Sequence, residues 1–195
     1  MKKEEVTVIG ATMADLPEVM ELCRALNKEN GIFDMDDDCT EQTLKRALRG
    51  GPNQEGILGV IREDSKIVAM IMLVCTHYWY TQKFHIEELF SYVAPEHRRS
   101  SYADALIRFA MHSAEQLGIP LMIGVITNRQ LEPKVRLYRR RLGMPAGAFF
   151  LWNAEWYNER ALNTDLWKHT RKRETVPLPA TALGTTTLTP SIMSS

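Results

Sequence analysis

Along this chain the spacing of apolar residues switches between the two-residue period of a strand and the three-to-four-residue period of a helix, and the switches mark out its elements. Val6 to Ile9 reads as a short strand. Thr12 and Asp15 then form a capping-box-like pair ahead of Leu16, Val19, Met20, Cys23 and Leu26, a spacing that predicts an amphipathic helix ended by Asn30-Gly31. Thr40 is the expected N-cap of a second helix, which carries Leu44, Ala47 and Leu48 and stops at Gly50-Gly51-Pro52. Ile57 to Ile61 and Ile67 to Val74 are apolar, β-branched runs on either side of the polar stretch Glu63-Asp64-Ser65-Lys66, which is a hairpin pattern. Ile86 to Val93 follows an aromatic loop with Tyr78, Trp79 and Tyr80 and reads as a third strand, closed by Pro95, which cannot donate to a ladder.

The polar segment Glu96 to Ser101 opens a helix with Ala105, Leu106, Phe109, Ala110 and Leu117 on one side, and Gly118 and Pro120 end it. Leu121 to Ile126 is nearly all apolar and is expected to be a central strand buried on both faces. Pro133 suits a first helical position, and Leu131, Val135, Tyr138 and Leu142 keep helical spacing up to Gly143. Ala148 to Trp152 is the expected last strand. An order of strand, two helices, three strands, helix, strand, helix, strand predicts the α/β class, a mixed sheet with helices on its faces. We divide the 195 residues into one domain over 1–155, a basic helical extension over 156–175 that contains Lys168, His169, Arg171, Lys172 and Arg173, and a flexible Thr/Pro/Ser-rich tail over 176–195 that carries no charge.

Charge adds little at the level of the whole chain, because 24 Lys and Arg balance 24 Asp and Glu, so any electrostatic message is local. A nucleic-acid face built from Arg129, Lys134, Arg136, Arg139, Arg140 and Arg141 with the 168–173 cluster is disfavoured by that neutrality and by the lack of a reader motif. Cys23, Cys39 and Cys75 are odd in number and lack C-x-x-C spacing, which argues against a disulfide framework or a zinc site and fits a reducing, cytoplasmic setting. His77, His85 and His97 have neither i, i+4 partners nor a cysteine at ligand spacing, so no metal is expected. No apolar run approaches the roughly 18 residues of a membrane span, and a charged start leading straight into a strand is unlike a secretory signal. Hydrolase chemistry of the G-x-S-x-G kind has no elbow to work from.

The candidate chemistry lies at Val93-Ala94-Pro95-Glu96-His97-Arg98-Arg99-Ser100-Ser101-Tyr102-Ala103. A strand that runs through a polar loop into a helix presents unpaired N–H groups at the positive end of the helix dipole, where a pyrophosphate fits. This segment resembles the V-x-P-x-x-(R/Q)-x-x-G-x-(G/A) cofactor motif of the GNAT superfamily, matching at Arg98 and Ala103 and departing at Ser101, where that family has Gly. The element order from Val6 to Trp152 is similar as well.

The resemblance implies a GNAT fold, a mixed and mostly antiparallel central sheet with helices on both faces. It further implies an N-acetyltransferase that moves an acetyl group from acetyl-CoA to a primary amine of a small molecule, a protein lysine or an N-terminus. In that reading Arg98, Arg99, Ser100, Ser101, Tyr102 and Ala103 cradle the pyrophosphate. The backbone of Ser91, Tyr92 and Val93 splays from the next strand to hold the pantetheine arm and acetyl carbonyl, Asn128 touches the cofactor, and Tyr138 is the general acid. Glu87 and Glu88 are consecutive in a strand and face opposite ways, so only one can enter a cleft; the resemblance favours Glu87 as the base. Asp34, Asp36, Asp37 and Asp38, in the segment joining the first two helices, would form an acceptor wall that draws in a cationic amine. The competing reading is a GNAT-fold module that has lost efficient cofactor binding through Ser101 and serves in a homodimer or larger assembly through its C-terminal segment.

Overall fold

The structure is a computed structural model that describes residues 6–30, 34–49, 55–125 and 131–147. Its strands are β1 (Ile9–Gly10), β2 (Gly56–Glu63), β3 (Lys66–His77), β4 (Phe84–Val93) and β5 (Leu121–Met122). Its helices are α1 (Leu16–Asn30), α2 (Asp37–Leu48), α3 (Tyr102–Leu117) and α4 (Leu131–Leu142), with single 3-10 turns at Met13–Asp15 and Pro95–His97. The sheet runs β1-β2-β3-β4-β5, antiparallel at the first three junctions and parallel between β4 and β5.

The β2–β3 hairpin turns on Asp64 (φ 47°) and Ser65 (φ 69°), two left-handed residues whose twist matches that of the strands they join. Apolar side chains leave both faces of the sheet. On one, Leu58, Val60, Met70 and Met72 meet Val19, Met20, Leu44 and Ala47 of α1 and α2; on the other, Ile61, Val68, Ile71, Leu73 and Ile86 meet Ala105, Leu106 and Ala110 of α3. Helices therefore cover both faces, as the element order implies. At Gly59 α3 comes so close that an added Cβ would stand 2.7 Å from the Phe109 ring.

One irregularity shapes the site. Met72 pairs with Phe90 but Leu73 pairs with Glu88, so Leu89 is an extra residue, a bulge that resets the alternation of β4. As a result Glu88 and Ser91, three residues apart, point to the same side.

Several boundaries differ from the sequence reading. β1 pairs only through Ile9 and Gly10, opposite Val60 and Gly59, rather than from Val6. α2 begins at Asp37 with Asp36 as N-cap, not at Thr40: the Asp36 carboxylate accepts the Cys39 N–H at 2.8 Å, while the Thr40 hydroxyl bonds back to the Asp36 carbonyl at 2.7 Å. Asp37 and Asp38 in the first turn also favour the earlier start through the helix dipole. Among the described residues β5 is a half-buried two-residue edge strand rather than a central strand buried on both faces. Pro133 is the third residue of α4, not the first. The expected strand at 148–152, the extension, the tail and Asn128 lie outside the described residues. No helix among the described residues is long and apolar enough to cross a membrane.

Candidate functional site

β5 pairs with β4 only at Ile86↔Leu121 and Glu87↔Met122. From Glu88 to Val93 the outer edge of β4 has no strand partner among the described residues, and α4 lies across the opening. The result is a cleft of about 290 Å³, walled by Ser91, Tyr92 and Val93 of β4, the turn at Arg98 and Ser100, the start of α3 at Ala103 and Asp104, Lys134 and Tyr138 of α4, and Glu29 from the end of α1.

Three side chains converge at its wall, Ser91 and Tyr138 lining it and Glu88 buried behind them. The Tyr138 hydroxyl lies 3.3 Å from Ser91 Oγ and donates to the Glu88 carboxylate, 3.3 Å from each oxygen. Glu88 is only 9% exposed. Burial pushes its pKa above the ordinary 4.5, against the opposing pull of hydrogen bonds from Ser91 and Tyr138 and the charge of Lys134. Burial, and next the Glu88 charge, also drive the Tyr138 phenol upward, so it holds its proton at neutral pH. Lys134, one turn before Tyr138 on the same helix face, donates from Nζ to the Ser91 carbonyl at 3.4 Å. Burial lowers its pKa, with Glu88 and Glu29 opposing and Arg98 assisting.

The carboxylate that reaches Tyr138, buried behind the cleft wall, is thus Glu88, whereas the resemblance favours Glu87. Glu87 points to the opposite side of β4, where its carboxylate stands 4.0 Å from His85 Nε2 and is half exposed.

At the cleft mouth the loop is braced from below. Arg98 donates from Nε to the Val93 carbonyl at 3.0 Å, bonds through its terminal nitrogen to Glu29, and lies 5.7 Å over the Tyr92 ring. Its side chain therefore ties the end of α1 to the end of β4, and Arg99 is the exposed arginine of the pair. The Tyr102 hydroxyl bonds to Glu63, whose carboxylate also lies 3.2 Å from His97 Nδ1, fixing the loop to the β2–β3 hairpin. Ser100 Oγ accepts the Tyr102 N–H at 3.2 Å. Ser101 sits at the N-cap of α3 with φ −87° and ψ 10°, right-handed backbone open to any residue, and its side chain makes no cap. The left-handed freedom of glycine is not needed there. Asp104, an acid beside the would-be anion site, is answered by Arg141 in a two-pronged contact of 2.5 and 2.7 Å, which also pins α4 to α3.

The four aspartates do not act as one group. Asp36 caps α2 and Asp37 pairs with Arg24 at 2.8 Å, while Asp34 and Asp38 are exposed; none of the four lines the cleft. Sequence reasoning missed Lys134 and Glu29 as cleft residues. For Lys134 a signal existed in its four-residue spacing from Tyr138. For Glu29, whose Oε1 is buried without a hydrogen-bond partner, none did, because its role depends on how α1 crosses the sheet. Among the described residues no group of His, Cys, Asp and Glu could hold a metal ion.

The sequence matches the profile of the acetyltransferase (GNAT) family over residues 19–144. No curated protein matches it. Among solved structures it is similar to a ribosomal-protein-alanine N-acetyltransferase from Brucella melitensis, with 18% identity, TM-score 0.57, and 76% of this chain and 99% of that one covered. It is also similar to an aminoglycoside 6'-N-acetyltransferase from Acinetobacter haemolyticus, at 20% identity and TM-score 0.56 over 75% of this chain and 95% of that one. A predicted acetyltransferase with acetyl-CoA from Clostridium acetobutylicum aligns at 15% identity and TM-score 0.60, covering 76% and 96%. At these identities the likeness speaks to the fold.

Proposed function

The chain belongs to the acetyltransferase (GNAT) family, and we propose that it moves an acetyl group from acetyl-CoA to a primary amine by direct attack of that amine on the thioester. The observation that carries this reading is the cleft along the edge of β4 that has no strand partner among the described residues, lined by Ser91 and Tyr138, with buried Glu88 hydrogen-bonded to Tyr138 behind it.

Backbone N–H groups at the start of α3, from the loop Arg98 to Ala103, would hold the pyrophosphate, with Arg99 and Ser100 at the mouth. The open edge from Ser91 to Val93 would pair with the amides of the pantetheine arm, and Asn128 would add a contact from beyond β5. The right-handed backbone at Ser101 means that the loss of Gly costs no backbone strain there.

The bound thioester supplies an activated acyl group and a thiolate to be protonated as it leaves. Tyr138, protonated at neutral pH, donates that proton. Glu88, a carboxylate whose raised pKa suits accepting a proton from an amine, takes one from the acceptor nitrogen and passes it back to the phenolate across the 3.3 Å hydrogen bond. Exposed Asp34 and Asp38 would attract the acceptor while it is still an ammonium.

Calorimetric titration with acetyl-CoA tests the premise, with one site per chain expected. At a hundredfold excess over the dissociation constant the cofactor should stabilise the fold by about 2.7 kcal/mol, read as a rise in Tm. No heat and no shift at millimolar cofactor would overturn the reading and favour a non-catalytic interaction module.

A further inference from the structure

Lys134 has no place in the relay just described, yet it stands inside it. Its Nζ holds the Ser91 carbonyl at 3.4 Å, and the next turn of α4 brings Tyr138 to the hydroxyl of the same Ser91 at 3.3 Å. An amine and a phenol thus bracket one residue on the open edge of β4. The charged groups around the amine are Glu88 of β4 and Glu29 of α1, which favour its ammonium form, and Arg98 of the turn, which together with burial disfavours it. An ordinary surface lysine is protonated and unreactive at neutral pH, whereas a desolvated one spends more of its time as a nucleophile.

Resting on the reading of this cleft as the acetyl-CoA site, we propose that Lys134 is itself an acetyl acceptor, a self-modification site within the cleft. The Nζ lone pair forms a bond to the thioester carbonyl carbon as the C–S bond breaks and the sulfur leaves with the electron pair. The departing sulfur takes the Tyr138 proton, the nitrogen loses one to Glu88, and Glu88 returns it to Tyr138. The products are acetyl-lysine and the free thiol of the coenzyme, and no other reactant is required. Acetylation removes the cation that Glu88 and Glu29 face and lengthens a side chain that already spans the cleft, so the modified chain should accept cofactor poorly and the reaction should limit itself.

The test is to incubate the full chain with acetyl-CoA, follow intact mass, map the modified peptide, and measure cofactor binding by calorimetry in parallel. One acetyl group should accumulate on Lys134 at least about tenfold faster in the folded chain than in the same chain held in urea, as expected when the reactants are positioned. Excess free coenzyme should slow it, and Lys134→Arg should abolish that adduct while background labelling of exposed lysines persists. Calorimetric binding with Lys134 unmodified, or modified no faster than in urea, would overturn this proposal alone. Absence of calorimetric binding would overturn the cofactor reading and this proposal together.

Discussion

Tyr138 and Glu88 each hold a proton more tightly than they would in water, and burial is the main cause for both. Tyr138→Phe keeps the ring and removes the proton. Turnover with an amine acceptor should fall about a hundredfold, as for loss of a general acid, while acetyl-CoA affinity measured by calorimetry stays where it was. Glu88 gives a second prediction through stability. Below pH 4.5, its ordinary value, the carboxyl is protonated in folded and unfolded chains alike. As pH rises above that value the unfolded chain ionises first, so wild-type stability is lost through the raised folded pKa. Glu88→Gln has no such proton, so its Tm relative to wild type should climb between acid and neutral pH; a constant offset across that range would refute the burial argument. The place of Tyr138 in the cleft wall was legible in the sequence, because it lies on the helical stripe of α4. Which of Glu87 and Glu88 reaches Tyr138 was not, since that depends on where β4 stands relative to α4 and on a bulge at Leu89, and neither the register nor the extra residue leaves a mark in the hydrophobic pattern.

Elements ended by residues with strong backbone preferences were the readable ones. Gly118 takes the left-handed conformation (φ 65°) that ends α3, and Asp64-Ser65 forms the hairpin turn. Boundaries decided by competition were not readable. Asp36, Asp37, Asp38 and Thr40 are all plausible helix openers, and the carboxylate that reaches the Cys39 N–H took the cap. The apolar run predicts β5 as a central strand, but among the described residues its pairing with β4 ends at Glu87↔Met122, and the cleft lies beyond that point. The position of the loop before α3 depends in turn on α3 lying hard against β2 at Gly59, where a Cβ would meet the Phe109 ring at 2.7 Å and Val8 at 2.9 Å. An aromatic ring held in the core yields little, so Gly59→Ala should cost about 1–3 kcal/mol and lower Tm accordingly. Unchanged urea and thermal midpoints would show that α3 has room to move.

At the scale of the whole molecule the formal charge is zero, so no long-range field distinguishes this protein, and any attraction for a substrate must come from where single charges are left unanswered. The structure answers several of them. Asp15 and Glu18 face Arg62, Asp104 faces Arg141, Glu29 faces Arg98, and of the acidic segment before α2 Asp36 and Asp37 are already engaged with the Cys39 N–H and with Arg24. Neutralising Asp37 would therefore remove an ion pair between α1 and α2 and confuse a folding effect with a binding one. Asp34 and Asp38 are the exposed pair of that segment which, in the proposed function, would act on an incoming ammonium. Once an acceptor amine has been identified by screening, the double variant Asp34→Asn with Asp38→Asn should keep the wild-type acetyl-CoA affinity and lower Tm only slightly, through the lost helix-dipole contribution of Asp38, yet lose several-fold in kcat/KM for that acceptor at low salt. The loss should close as ionic strength approaches about 1 M, where the screening length is only about 3 Å. Equal kinetics at low salt would return these aspartates to the role of a solvated loop and leave the cleft, not the acidic segment, as the sole source of acceptor selection.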